Sequence, residues 1–177
     1  MSLTRIVLLI VALSGCVSVP EGITPVRNFE LERYLGTWYE VARLDHRFER
    51  GMRNVSAHYE RREDGGVVVT NRGYLIDEQR WEEAIGKAYF VDQPDLGYLK
   101  VSFFGPFYGA YVVFELDQAD YSKAFVSGPN REYLWYLSRK PTPTQAEKDA
   151  FVQKAAALGF DTDQLIWVDQ SEPAAVN

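Results

Sequence analysis

The chain has 177 residues, of which 46% are hydrophobic, 14% aromatic and 25% charged, with a net charge of −6. That length fits one domain with a substantial core, and 10 Phe, 11 Tyr and 4 Trp suit a sheet protein with a large apolar interior. The acidic balance excludes a binder of nucleic-acid backbones, which needs a basic excess, and provides no long-range attraction to an anionic membrane.

At the N-terminus, Arg5 precedes an unbroken apolar run, Ile6 to Leu13, and then Leu13-Ser14-Gly15-Cys16. A basic residue, a short apolar stretch and small residues before a cleavage point read as a secretory signal over residues 1–15, too short to span a bilayer. Leu-Ser-Gly-Cys resembles the lipobox of bacterial lipoproteins. The resemblance implies that Cys16, the single cysteine of the chain, carries the acyl chains of a membrane anchor. Val17, rather than Asp, after the cysteine implies the outer membrane, with the folded part facing the periplasm. With Cys16 modified no disulfide can form, so packing alone must hold the fold. Pro20, Gly22 and Pro25 without apolar periodicity mark residues 16–28 as anchor and tether. Fully extended, about a dozen residues reach roughly 40 Å.

A folded domain is expected over 29–170. From Gly36 onward the pattern is short strands separated by turn residues: 37–44, 55–61, 67–75, 84–91, 99–104, 110–116, 124–127 and 133–139. Asp64-Gly65 between the second and third is a strong hairpin signal. Eight antiparallel strands in sequence order predict an all-β, up-and-down barrel wide enough for one small ligand. Pro141 and Pro143 then stop the last strand, and Thr144-Gln145-Ala146-Glu147 has capping-box spacing. Ala150, Phe151, Ala155 and Leu158 recur at helical spacing before Gly159, which predicts one C-terminal α-helix on the barrel wall. Residues 165–168 read as a short strand and 171–177 as a tail.

Gly36-Thr37-Trp38 opens the first strand, Asp120-Tyr121 lies between the sixth and seventh, and Arg139 ends the eighth. These resemble the three lipocalin motifs, with Ala119 standing where the second motif usually has Thr. Three longer strings, Trp38 to Arg43, Asp45 to Gly51 and Phe103 to Gly109, are similar to the bacterial outer-membrane lipocalins, relatives of apolipoprotein D and the plant temperature-induced lipocalins. The resemblance implies binding of fatty acids or lysophospholipids, carried or scavenged in the envelope during stress or membrane maintenance, and makes a homodimer possible. It gives Gly36, Trp38 and Arg139 structural roles: Trp38 closes the barrel floor and the Arg139 guanidinium stacks on its indole.

Strand residues alternate between faces, so Trp38 inward places Glu40 and Ala42 inward, and Arg139 reaching Trp38 places Trp135 and Leu137 inward. By pattern and resemblance the other strands contribute Val55, Ala57 and Tyr59; Val69 and Asn71; Ala84 and Ala88; Val101 and Phe103; Tyr111 and Val113. A filled core would want Leu and Ile at several of these alanines, so a cavity is expected. Resemblance adds Tyr108 near the ligand. Ligand contacts are therefore expected from Trp135, Tyr108, Tyr111, Val113, Phe103, Val101, Ala42, Ala57, Glu40 and Arg47. Glu40 inside an apolar barrel must be paired or protonated, held by Tyr or Asn neighbours, by water or by ligand.

Near the mouth, Arg43, Arg47, Arg50 and Arg53 either hold a phosphate headgroup or pair with Asp45 and Glu49 on a solvated loop. His46 falls in that loop and His58 points outward, so no metal or haem site is expected and no cofactor. No nucleophile–base set or phosphate loop is apparent, which argues for a binder and against an enzyme. The alternatives are a binder of another apolar small molecule, or an envelope interaction protein with an incidental cavity.

Overall fold

The computed structural model describes residues 17–171; the signal segment, Cys16 and residues 172–177 lie outside the described residues. Nine strands form one sheet: β1 (Gly36–Arg43), β2 (Met52–Arg61), β3 (Val67–Leu75), β4 (Arg80–Phe90), β5 (Tyr98–Ser102), β6 (Gly109–Leu116), β7 (Lys123–Ser127), β8 (Leu134–Ser138) and β9 (Ile166–Trp167). Each of the first seven runs antiparallel to the next, and β1 pairs with both β2 and β8, closing the barrel. Closure removes the free edges that an open sheet would expose. The two-residue β9 occupies the edge of β1 at Ala42 and Arg43, beyond the part of β1 that meets β2.

Two strands, β2 and β4, start three and four residues earlier than the apolar pattern indicates. Arg80, Glu82 and Glu83 break any alternation, yet β4 runs from Arg80 because its first half is exposed on both faces. That half pairs with β3 throughout, whereas β5 meets β4 only over Lys87–Phe90. On its β5 side, β4 before Lys87 therefore has no strand partner.

The closed end is plugged from the N-terminal side. Phe29 and the one-turn helix α1 (Leu31–Tyr34) insert Phe29, Leu31 and Tyr34 into a cluster with Trp38, Val113, Leu116 and Tyr121. Trp38 is fully buried, and its indole N–H donates to the Tyr34 carbonyl at 2.8 Å. The Arg139 guanidinium lies 4.0 Å from the indole and donates to the carbonyls of Arg33, Leu35 and Thr37. One side chain thus ties α1, β1 and β8 together.

On the outside, α2 (Gln145–Ala157) begins at Thr144 with a reciprocal capping box to Glu147. It buries Phe151 and Ala155 against Phe125 and Tyr136, while Ala150 is exposed. Gly159 follows the helix with φ of 81°, the left-handed conformation that suits glycine at a helix end.

Residues 17–28 lie on the wall rather than extending from it. Ile23 is buried with Phe114 and Phe160 in the outer cluster, and Val26 exchanges backbone hydrogen bonds with Val113 and Gly97. The prolines and glycine that suggested a free tether set its turns, while Val19, Ile23 and Val26 supply apolar contacts too widely spaced to show a period.

Candidate ligand-binding cavity

The strands enclose a cavity of about 880 Å³, open at the end where β1 meets β2 and β5 meets β6. Small side chains leave the room: Ala57, Ala84 and Ala88 line it, as do Gly73 and Gly109. Val55, Val67, Val69, Leu99, Val101 and Leu137 make the walls largely apolar. The floor is three phenols, with the Tyr111 hydroxyl 2.7 Å from that of Tyr34 and 2.8 Å from that of Tyr59. Burial pushes all three hydroxyls above the ordinary phenol range, so they stay protonated. The Asn71 Oδ1 atom is buried in the wall with no hydrogen-bond partner among the described residues, a polar point that a ligand can meet.

Glu40, Ala57, Val101, Phe103, Tyr108, Tyr111, Trp135 and Arg47 all line this space. Two residues expected there do not. Alternation places Ala42 inward with Glu40, but the register of β1 against β8 shifts between them: Glu40 faces Leu137, Ala42 faces Tyr136 and Arg43 faces Trp135. This bulge inserts one residue and reverses the faces beyond it. Ala42 consequently packs outside with Tyr136 and Phe151, and Arg43 points in. Val113 is fully buried below the cavity, among the residues plugging the closed end. The floor at Tyr111 lies one inward position above it, because the α1 plug takes the space that alternation assigns to ligand.

Arg43 turned inward resolves how Glu40 is held. Its guanidinium donates to Glu40 Oε1 at 2.7 Å and to the Glu49 carbonyl at 2.7 Å, and is almost wholly buried. Glu49 folds back into the cavity wall and accepts from the Trp135 indole N–H at 3.2 Å. His46 is buried beside it, ringed by Phe48, Tyr133 and Trp135. Its Nε2 stands 3.0 Å from Glu49 Oε2, within ion-pair range but outside hydrogen-bond geometry, and Nδ1 has no partner among the described residues.

The two carboxyls titrate apart. Burial raises Glu40 well above its ordinary value, the Glu49 charge adds to this, and Arg43 only partly opposes it. Burial also pushes Glu49 up, but the His46 ring beside it, with Glu40 and Arg43, outweighs this and holds Glu49 below the ordinary value. Of the two carboxyls, Glu40 is thus the one biased toward its protonated form and Glu49 the one biased toward its charged form.

Two of the other three mouth arginines are engaged. Arg50 grips both carboxylate oxygens of Asp45, and Arg53 lies 3.6 Å from Asp169 and against Tyr74. Arg47 lines the cavity with its guanidinium over the Phe48 ring and no ion pair among the described residues. His46, Glu49 and Tyr34 are the site residues that sequence reasoning missed, and Arg43, read as a mouth residue, lies buried inside. A bulge and a loop fold-back carry no periodic signal; the one local hint was a carboxylate at position 40 needing a cation nearby.

A closed antiparallel barrel, plugged at one end and hollow at the other, with apolar walls and a few placed polar groups, defines a binder of small hydrophobic molecules. Comparison with known proteins gives the family: a lipocalin-like domain profile matches residues 29–170, and the chain belongs to the lipocalins. It is 59% identical to the outer membrane lipoprotein Blc of Vibrio cholerae over 165 residues, covering 93% of this chain and 96% of that one. It is 53% identical to the Blc lipoprotein of Escherichia coli K12, covering 85% of each. Among solved structures, insecticyanin from the tobacco hornworm superposes with a TM-score of 0.67 at 21% identity, covering 88% of each chain, which concerns the fold alone. The protein is thus a lipocalin-type binder of hydrophobic ligands rather than an enzyme.

Proposed function

We propose that this lipocalin is held to the outer membrane by a lipidated Cys16 and there carries or scavenges lysophospholipids or fatty acids. The supporting observation is the cavity: about 880 Å³, apolar along its walls and open at one end, which suits a single acyl chain with its polar end at the mouth. Burying about 14 methylenes contributes roughly 11 kcal/mol gross at ~0.8 kcal/mol each. Ordering costs of several kcal/mol leave micromolar or tighter binding. The names of the Vibrio and Escherichia relatives support the anchor. At the mouth Arg47 is the cation available to a phosphate or carboxylate, since Arg43, Arg50 and Arg53 are engaged.

The test is a tryptophan-fluorescence titration with lysophosphatidylcholine, lysophosphatidylethanolamine and palmitate, all below micelle formation. Saturable quenching lost in Trp135→Phe is the expected result. Arg47→Gln is expected to weaken the headgroup-bearing lipids about tenfold, a loss of ~1.4 kcal/mol. No saturable change with any of the three, confirmed by calorimetry, would remove the lipid-carrier reading.

A further inference from the structure

The cavity floor is polar where packing alone asks for phenyl rings. Tyr34 arrives from α1, Tyr59 from β2 and Tyr111 from β6, and their hydroxyls meet among Val67, Val69, Leu99 and Leu137. Phenylalanine at each position would fill nearly the same volume with no polar atom to desolvate. The protons can be counted. Burial keeps all three phenols protonated, so the floor holds three O–H donors. The contacts of Tyr111 with Tyr34 at 2.7 Å and with Tyr59 at 2.8 Å use two of them. Whichever way those two bonds run, one O–H is left over, and none of the three hydroxyls has another acceptor among the described residues.

Two hydrogen bonds suffice to tie the α1 plug to β6 and β6 to β2; the third donor is surplus to that role. All three tyrosines line the cavity, so a ligand that reaches the floor comes within range of it. A chain ending in a methyl group covers this donor and leaves it unpaired, the costly case for a buried polar group. A chain ending in an oxygen pairs with it. The surroundings decide the charge of that oxygen. Arg47, Arg50 and Arg80, the arginines that line the cavity, belong to the open rim. Beneath the floor Arg139 is spent on the Trp38 ring and backbone carbonyls, and the nearest ionisable group up β1 is the Glu40 carboxyl. An ionised carboxylate at the floor would be desolvated with no cation beside it, whereas a neutral oxygen avoids that penalty.

We propose that Tyr34, Tyr59 and Tyr111 form a second polar subsite, which selects an acyl chain carrying a neutral oxygen, a hydroxyl or an aldehyde, at the end remote from its headgroup. The proposal rests on the reading of the cavity as an acyl-chain site with the headgroup at the mouth. It narrows the ligand from plain chains to chains oxygenated at the far end.

The test is calorimetric titration with palmitate, ω-hydroxypalmitate and hexadecanedioate, all below micelle formation. ω-Hydroxypalmitate is expected to bind about tenfold tighter than palmitate, and hexadecanedioate about tenfold or more weaker than ω-hydroxypalmitate. Palmitate equal to or tighter than ω-hydroxypalmitate overturns the proposal and leaves the acyl-chain reading standing. Hexadecanedioate as tight as ω-hydroxypalmitate overturns the choice of a neutral oxygen. No saturable binding of any of the three removes the acyl-chain reading and the proposal with it. In the triple variant Y34F/Y59F/Y111F the ring volumes stay and the donors go, so the preference for ω-hydroxypalmitate over palmitate should reverse; a preference kept in the folded variant places the oxygen elsewhere and overturns the proposal. Infrared spectroscopy of the wild-type protein with isotope-labelled ω-oxopalmitate gives a reading that needs no variant. A carbonyl stretch lowered as in an alcohol supports the floor donor, and one at its alkane frequency overturns it.

Discussion

Filling the deep end of the cavity should shorten the acyl chain the protein accepts. Ala88 faces inward in the lower half of β4, between Val67 and Val101, one strand pair above the plug. In Ala88→Phe the ring enters space that is already empty, so the fold gains contacts rather than strain. It displaces about four methylenes of a long chain, and at ~0.8 kcal/mol each the loss is about 3 kcal/mol, roughly a 150-fold weaker Kd. A chain that never reaches Ala88 loses nothing. The assay is fluorescence or calorimetric titration with saturated lysophospholipids of about 10 to about 18 carbons. Affinity should fall steeply for the longest chains and stay unchanged for the shortest, moving the preferred length down by about four carbons. Equal weakening at every length, or no change at any, would refute an acyl chain lying along the barrel axis with its tip at the tyrosine floor.

Arg139→Ala removes the cation from the Trp38 face and leaves the carbonyls of Arg33, Leu35, Thr37 and Tyr121 without their charged donor, a loss of about 3 kcal/mol of stability readable by urea unfolding. Affinity of the molecules that remain folded should not change. Glu40→Gln tests the buried cluster through pH. A carboxyl whose folded pKa is raised contributes stability fully below its unfolded value of 4.5 and loses it as pH climbs through the folded value. The variant cannot ionise, so its melting temperature should gain on the wild type as pH rises above the unfolded value of 4.5 and through the raised folded value. Glu49, with its pKa lowered, has the opposite sign: its contribution is present at neutral pH and is lost as the solution is acidified. A pH-independent difference between Glu40→Gln and wild type would show that Glu40 is ionised throughout.

The barrel was legible because its information is local. Alternation along each strand, Asp64-Gly65 at a turn, and the Thr144–Glu147 capping box each act within a few residues, and the structure has them where the residues indicate. The inward set read from Trp38 and Arg139 holds along β3 and β5, which keep their pairing register through the cavity-lining residues, and along β2 from Ala57 onward, past the register shift between Arg53 and Ser56. It fails at Ala42 because the bulge in β1 is created by the fit of β1 against β8, strands separated by about ninety residues of sequence.

The same distinction explains the mouth. Asp45 to Gly51 reads as a solvated charged loop, and Arg50 with Asp45 behaves as one. His46 and Glu49, one and four residues along, are buried because Trp135 and Tyr133 arrive from β8 and its preceding loop to cover them. The linear chain determined the strands, their turns, the helix and the Trp38–Arg139 pair, since short-range sterics and periodicity suffice for each. Only the tertiary structure decided the depth of the cavity, the inward turn of Arg43, the docking of residues 17–28 and the buried Glu40–Glu49 couple. Those depend on which distant side chains compete for the same volume, and burial by a distant partner leaves no period in the sequence.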